Sequence, residues 1–186
     1  MKYICLYLTI VVLGLNSINA QNVTFGVKGG LNLASIDRYI NGQPDPKFRT
    51  SFHIGGFVEA PLWNKFSLQP ELLYSGQGFR IKYSDEVYVQ KLNYLNLPIL
   101  LKYYISERLS VETGPQMGVL ISSNVSDYEK KIDFAIDFGL AYKMEMGLGF
   151  GIRYNFGLSY FDNFSNSDSP PFNKHRVFQI SVAYIF

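Results

Sequence analysis

The stretch HRVFQISVAYIF, residues 175–186, decides the fold class of this chain. Every second position carries a large apolar side chain, namely Phe178, Ile180, Val182, Tyr184 and Phe186. The positions between them are smaller or more polar on average. Such strict period-two alternation indicates a β-strand whose two faces meet different surroundings. An apolar strand face that continues to a terminal aromatic residue is typical of outer-membrane β-barrels.

Seven further segments show the same alternation before this strand. They cover residues 23–33, 51–60, 65–83, 92–105, 109–122, 132–144 and 147–160. Beyond the first 20 residues, no apolar stretch approaches the roughly 20 residues that a helical membrane span requires. A membrane-spanning structure must therefore be built from strands.

The connections between the eight segments alternate in length. Long polar connections follow segments one, three, five and seven, at residues 35–50, 84–91, 123–131 and 161–174, and short ones follow segments two, four and six. Outer-membrane barrels combine short periplasmic turns with long outer loops. The sequence therefore predicts an all-β fold, an eight-stranded antiparallel up-and-down transmembrane β-barrel.

The N-terminal residues 1–20 have the pattern of an export signal. Lys2 supplies a positive start, and about a dozen mostly apolar residues follow, from Ile4 to Leu15. The small residue Ala20 then offers a cleavage point before Gln21. The apolar stretch suits a signal peptide and is short for a membrane span, although an N-terminal anchor is the alternative. We expect residues 21–186 to form the barrel domain, located in the outer membrane after export.

The composition excludes several classes of function. Cys5 is the only cysteine, and removal of the signal would leave no thiol for a disulfide, a zinc site or a nucleophile. Two histidines do not favour a histidine metal site, and a net charge of +2 does not favour nucleic-acid binding. We therefore expect no metal, no cofactor and no nucleic-acid partner. The 14 Tyr, 15 Phe and 16 Gly instead suit a small barrel with aromatic girdles.

The two faces of the alternating segments differ in chemistry. One face is almost purely aliphatic and aromatic, and the other collects nine ionisable residues: Lys28, Glu59, Glu71, Lys102, Glu112, Asp133, Asp137, Lys143 and Arg153. A soluble lipocalin-like barrel would turn the apolar face inward, and a membrane barrel would turn it outward. The charged face also carries many glycines, which a narrow eight-stranded lumen needs. We therefore expect the nine ionisable residues to line the lumen.

Charges of both signs inside a narrow barrel need partners. Moving an ion out of water costs several kcal/mol unless it is paired. We expect these nine residues to form a network of salt bridges that plugs the lumen. Two alternatives assign a function to the same groups. Glu71, Glu112, Arg153 and Lys102 could line a narrow ion path, or paired carboxylates could act in general acid–base catalysis.

Aromatic residues near the strand ends suggest contacts with the membrane interface. Many of these are expected to act as girdle residues, and a few in loops to touch a ligand: Tyr39, Phe48, Phe79, Tyr83, Tyr88, Tyr103, Tyr104, Tyr128, Tyr160, Phe161 and Phe172. Phe186 has a different expected role. The C-terminal strand that it ends is expected to engage the barrel-assembly machinery, and outer-membrane lipid is the expected surrounding.

Several motifs resemble those of a known family. They are FGVKGGLN at residues 25–32, FHIGGF at 52–57, LQPELLYS at 68–75, YLNLPILLKY at 94–103, GPQ at 114–116 and DFGL at 137–140. In this order they are similar to the outer-membrane β-barrel proteins common in Bacteroidetes, the porin-family or PorT-like group. The resemblance covers nearly the whole chain after residue 20 and implies an eight-stranded outer-membrane barrel. PorT is linked to protein secretion, and no motif here indicates that branch.

Three functions are compatible with this sequence. The first is a sealed structural or interaction barrel whose outer loops, above all residues 35–50 and 161–174, meet a ligand or a partner. The second is a small passive porin-like channel. The family resemblance adds a PorT-like accessory role in protein secretion as a further alternative. The third is a barrel enzyme that uses Glu71 or Glu112. The enzyme has little support, because only His53 and His175 could serve as a histidine base, so we expect no enzymatic activity.

Overall fold

The computed structural model describes residues 23–37, 46–83, 86–124, 131–160 and 174–186. Eight strands account for nearly all of them: β1 (Thr24–Asp37), β2 (Lys47–Pro61), β3 (Phe66–Tyr83), β4 (Glu86–Tyr104), β5 (Leu109–Ser123), β6 (Ile132–Lys143), β7 (Leu148–Tyr160) and β8 (Lys174–Ile185). No helix within the described ranges is long and apolar enough to cross a membrane. The predicted export signal lies outside the described residues, as do most of the fourth long connection and parts of the other three.

The strands close into one antiparallel ring in sequence order, which confirms the predicted up-and-down barrel. Closure comes from β1 and β8, which pair from Gly26↔Ile185 to Asp37↔Lys174. Strands four positions apart in an eight-membered ring face each other, so β3 lies opposite β7. The end that holds the three short connections is called the turn end below, and the opposite end is called the loop end.

The two strand faces have the orientation predicted from the sequence. Large apolar side chains point outward and remain exposed, as Phe25, Ile54, Phe138 and Ile180 illustrate. Polar and charged side chains point into the lumen, where Glu71, Arg153 and many others are buried. A lipocalin-like arrangement, with the apolar rows around a cavity, is therefore excluded.

Three strands extend further toward the loop end than the sequence pattern indicated. β1 continues to Asp37, β2 already begins at Lys47, and β4 begins at Glu86 within the expected loop of residues 84–91. Cross-strand pairing explains the extension, since Lys47 pairs with Arg80 and Tyr83 pairs with Glu86. Mixed polar and apolar residues there obscure the alternation, although backbone pairing still continues.

The extended parts of β2, β3 and β4 form a sheet that rises above the barrel wall, here called the loop-end sheet. β3 has 18 residues and β4 has 19, whereas a membrane strand needs about 9–11. Gly78 permits this extension, because its φ of 125° suits glycine and an added Cβ would lie 2.0 Å from the Gln90 carbonyl oxygen. Tyr88 donates a hydrogen bond to Glu86 in this sheet, which raises the pKa of the phenol.

Tight connections define the turn end. Asn64 adopts a φ of 50° in the turn after β2, and Gly147 a φ of 86° in the turn before β7, which are left-handed conformations that Asn and Gly tolerate best. Arg108 and Glu145 form an exposed salt bridge between two of these turns. The short turns set the strand register and thereby fix which side chains enter the lumen.

Candidate functional site: the barrel lumen

A salt bridge spans the diameter of the lumen. Arg153 on β7 donates from Nη1 to Glu71 Oε2 at 2.8 Å and from Nη2 to Glu71 Oε1 at 2.9 Å. Glu71 lies on β3, which is the strand opposite β7. Both side chains are almost fully buried. This bidentate geometry is the strongest form of an arginine–carboxylate pair and also fixes the position of both groups.

Three further ionic groups surround this bridge, and together with it they form the central ion cluster of Lys28, Glu71, Glu112, Asp137 and Arg153. Glu112 accepts hydrogen bonds from Arg153 Nε at 2.9 Å and from Nη2 at 2.6 Å. Lys28 donates to Glu71 at 3.1 Å, and Asp137 Oδ2 lies 3.8 Å from Arg153 Nη1. The cluster draws these side chains from β1, β3, β5, β6 and β7.

Neighbouring residues leave room for the cluster and complete its hydrogen bonds. Asn155 donates to Asp137 Oδ1 at 2.7 Å, and Gln69 donates to Glu71 at 2.6 Å. Gly139 makes space for Glu112, because a Cβ at that position would lie 2.8 Å from Glu112 Oε1. Each strongly desolvated ion therefore has specific partners, which is the condition for keeping charges buried.

A second ionic layer lies closer to the turn end. Lys102 donates to Glu59 Oε2 at 2.9 Å and to Gln69 Oε1 at 3.0 Å, and the Tyr104 hydroxyl donates to the other Glu59 oxygen. Gln69 also contacts Glu71, so it links this layer to the central ion cluster. The two layers therefore form one continuous hydrogen-bonded network.

A neutral polar cluster occupies the lumen on the loop-end side of the central ion cluster. His53 Nδ1 lies 2.7 Å from Asn32 Oδ1, and His53 Nε2 lies 2.9 Å from Ser181 Oγ. Because an amide oxygen only accepts, this contact requires a proton on Nδ1. Asn32 also donates to Ser75 Oγ at 2.9 Å and accepts from Gln179 at 3.0 Å. Asn32 is therefore the centre of this cluster.

Apolar side chains close the lumen at the loop end. Ile36 from β1 packs with Phe79 and Ile81 from β3 in a buried cluster. Beside it, where His175 is the register partner of Ile36, the Tyr94 and His175 rings meet edge to face with centroids 6.0 Å apart. The lumen thus contains an apolar layer above its polar and ionic layers.

The structure brings seven of the nine predicted lumen residues into direct ionic or hydrogen-bonded contact. These are Lys28, Glu59, Glu71, Lys102, Glu112, Asp137 and Arg153. Asp133 and Lys143 stay outside the network. Within the described chain, Asp133 Oδ1 is buried without a hydrogen-bond partner, and Lys143 forms no salt bridge within 4.0 Å.

Two aromatic residues expected in the interfacial girdle point into the lumen instead. Tyr104 binds Glu59, and Phe79 belongs to the buried apolar layer. Period-two register explains both, since Tyr104 shares a face with Lys102, and Phe79 shares a face with Glu71. Counting along these strands from the charged residues would have placed both rings correctly.

The sequence reading also missed the polar cluster around Asn32. The predicted segment of residues 51–60 placed His53 near its start, but β2 begins four residues earlier, at Lys47, and His53 is buried in the lumen. Alternation could have placed Asn32, Ser75 and Gln179 on the lumen face. Their mutual contacts depend on barrel closure between β1 and β8, which no local pattern encodes.

Most of the polar and charged side chains in the lumen are hydrogen-bonded or ion-paired with one another. In the part of the chain that the structure describes, no three His, Cys, Asp or Glu side chains form a group that could hold a metal ion. The carboxylates of Glu59, Glu71 and Glu112 are occupied by Arg153, Lys28 and Lys102. Chemically, the arrangement stabilises a closed interior and offers no free nucleophile–base pair among the network residues.

Comparisons with known proteins agree with this architecture. Residues 19–163 match the family described as outer membrane protein beta-barrel domain. Among solved structures, Ail, the attachment invasion locus protein of Yersinia pestis, is similar with a TM-score of 0.50 and 12% identity, covering 88% of this chain and 98% of Ail. The outer membrane protein OprG from Pseudomonas aeruginosa has a TM-score of 0.50 and 13% identity, covering 88% of this chain and 95% of OprG. No curated protein matches the sequence.

Proposed function

The chain belongs to the outer membrane protein beta-barrel domain family, and from that premise we propose that it is a sealed barrel with a structural or interaction role, whose loop end meets a ligand or partner outside the cell. The observation that carries this proposal is the Arg153–Glu71 bridge across the lumen. A barrel that conducts needs a continuous water path, and this bridge crosses the lumen from β7 to β3.

Energetics support a permanent seal. Opening a path through the central ion cluster would separate Arg153 from Glu71 and Glu112, and separating a buried ion from its partners costs about 3–5 kcal/mol. The apolar layer of Ile36, Phe79 and Ile81 adds a second barrier at the loop end. Two barriers of different chemistry make spontaneous opening rare.

The loop-end sheet supports the interaction role. It places Phe48, Val87 and Tyr88 in exposed positions above the barrel wall. The ladder pairs between β4 and β5 begin at Leu92 of β4. On the loop-end side of Leu92, the Asn124 side chain forms hydrogen bonds with the backbone of Val89 and Lys91. Among the described residues, β4 therefore extends past its last ladder pair with β5, to Glu86. Such an extension suits an extended partner segment that adds a strand.

Conductance in planar bilayers tests the sealed state. We expect purified wild-type protein to give no steady channels. The triple variant Glu71→Ala/Arg153→Ala/Phe79→Ala removes both ends of the bridge, leaves Lys28 and Glu112 to pair and also opens the apolar layer, so we expect it to conduct. Arg108→Ala, at the exposed turn-end pair, serves as the control and should stay silent. Steady, sizeable channels from the wild type would overturn the sealed barrel and favour the porin-like alternative.

We further propose that outer-membrane lipid covers the outward apolar face and that the barrel-assembly machinery recognises the C-terminal strand. Phe186 supports the second proposal, because its side chain is exposed while its backbone nitrogen donates to the Phe25 carbonyl at 2.9 Å. Phe186→Ala should reduce the folded, heat-modifiable fraction in cells but not after refolding in detergent. An equal loss in both settings would indicate a stability defect instead.

A PorT-like accessory role and a Bacteroidetes-type origin rest on the sequence motifs alone. The motifs at residues 25–32, 68–75 and 94–103 build strands β1, β3 and β4, so they carry fold information rather than a secretion site. Export of secreted proteins in a strain that lacks this protein would test the role. Normal export of secreted proteins in that strain would exclude the PorT-like accessory role.

A further inference from the structure

A cavity opens at the turn end of the lumen. Its volume is about 50 Å³, and its inner limit includes Lys28 and Arg153 of the central ion cluster. Small residues on β6, β7 and β8 line its side, among them Ala141, Gly149 and Ala183. These positions lack large side chains, so the lumen stays open here although the layer above it is filled.

The cavity lining carries more positive than negative charge. Lys28, Lys102, Lys143 and Arg153 contribute to it, and Glu112 is the only carboxylate that does so among the described residues. Three of the four cations have a carboxylate oxygen within 3.1 Å of a side-chain nitrogen. Lys143 is different, because within the described ranges no carboxylate lies within 4.0 Å of its ammonium group.

Lys143 is well placed to meet a ligand. Its register partner on β7 is Gly149, which has no side chain to cover it. The side chain lines the cavity and is only partly buried. Lys28 on the inner side uses one of its three ammonium protons for Glu71, and an ammonium group has three donors. Two cations thus present unused donors to the same cavity.

We propose that this cavity is a binding site for a small aliphatic monocarboxylate, held by the Lys143 ammonium group and covered by the apolar wall of Ala141, Ala183 and Ile185. Charge supports a monoanion, since among the described residues no carboxylate lies within 4.0 Å of the Lys143 ammonium group and a second negative charge would face Glu112. Size supports a short chain. A water needs roughly 10–15 Å³, so a 50 Å³ cavity holds about three to five such groups, the size of acetate or propionate.

An NMR titration of the folded protein in lipid nanodiscs tests this site. Propionate is the probe, and propionamide, which has the same shape without the charge, is the control ligand. We expect propionate to cause saturable shifts concentrated at the Gly149 and Gly151 amides and the Ala141 methyl group. Propionamide should cause no saturable shift. Shifts that increase linearly, or that spread over the whole barrel, would overturn the proposal.

Three variants separate a built site from unspecific attraction. Lys143→Met should raise the propionate dissociation constant at least about tenfold, because a charge-assisted hydrogen bond is lost. Gly151→Val fills the cavity, and space exists for it because an added Cβ would lie 3.6 Å from its nearest neighbour; it should abolish binding. Lys65→Met changes an exposed lysine at the same end outside the cavity lining and should leave affinity unchanged. Equal affinity of Lys143→Met and wild type would overturn the proposal, even if Gly151→Val did not fold.

This site is independent of the sealed state. The central ion cluster closes the cavity on its inner side, and conduction would change that closure without removing Lys143. The conductance experiment and the titration therefore fail or succeed separately.

Discussion

Arg153 and Glu71 face each other across the full width of the barrel, and two hydrogen bonds of 2.8 and 2.9 Å join them. Glu71 also accepts from Lys28 and Gln69, and Arg153 also donates to Glu112. The two residues thus tie opposite walls of the sheet together. We therefore expect the side chains in the lumen to stabilise the fold rather than to line a passage.

Replacing Arg153 should strongly destabilise the barrel. Arg153→Met keeps much of the side-chain volume but leaves Glu71 and Glu112 close together without their shared cation. We expect the free energy of unfolding to fall by about 3–5 kcal/mol, as for other broken buried pairs. Urea unfolding in detergent micelles, followed by intrinsic fluorescence, measures the change.

The matched control for that variant is Arg108→Met. Arg108 pairs with Glu145 at the turn end, where both side chains are at least half exposed. Exposed pairs contribute little to stability, so we expect a change within about 0.5 kcal/mol. Similar losses in the two variants would show that the buried bridge has no special role.

Two buried asparagines in the same lumen should respond in opposite ways to replacement by the similarly shaped leucine. Asn32 connects His53, Ser75 and Gln179, so Asn32→Leu leaves several buried groups without partners. We expect a loss of about 2–4 kcal/mol in the free energy of unfolding. In the described part of the chain, Asn96 Oδ1 is buried with no hydrogen-bond partner. Asn96→Leu should therefore be neutral or stabilising in the same urea experiment, and a loss above about 2 kcal/mol would contradict this account.

Substitution of Gly78 should loosen the loop-end sheet without unfolding the barrel. In Gly78→Ala, the added Cβ meets the Gln90 carbonyl oxygen, and the φ of 125° is strained for alanine. Strain of this kind costs about 1–3 kcal/mol. Hydrogen exchange should accelerate at residues 79–83 and 86–90 and stay slow where Leu73 pairs with Asn96. Gly56→Ala is the control, because its Cβ would have only an ordinary 3.5 Å contact; equal exchange in both variants would contradict the assigned strain.

Most of the barrel wall could be predicted because its signals are local. Alternation from Phe178 to Tyr184 fixes the outward face of β8, and the same period places Glu71 and Arg153 in the lumen. The long and short connections then set the order of the strands. Each of these signals depends only on residues that are neighbours in sequence. A strand with lipid on one face and the lumen on the other requires strict alternation of apolar and polar residues.

The contacts inside the lumen were less accessible to sequence reasoning. Alternation gives the face of Lys143 and Asp133, but their height relative to Glu59 or Arg153 depends on the stagger between strands. That stagger is set by barrel closure between β1 and β8 and by turn geometry. The extension of β2 to Lys47 was hidden for a related reason, since its pairing with Arg80 lies in the loop-end sheet, where mixed polar and apolar residues interrupt the alternation.

Thiol labelling of intact cells should show which end of the barrel faces outward. The chain has one native cysteine, Cys5, within the predicted signal, so a Cys5→Ser background removes any remaining thiol. Val87→Cys lies in the loop-end sheet and Met146→Cys in a turn-end connection, and both parent side chains are well exposed. If the loop end faces the outside, a membrane-impermeant maleimide should label Val87→Cys on intact cells and Met146→Cys only after the envelope is opened. Both variants should be labelled equally in detergent, which controls for reactivity. Labelling of Met146→Cys alone on intact cells would reverse the proposed orientation and move the carboxylate site to the cell exterior.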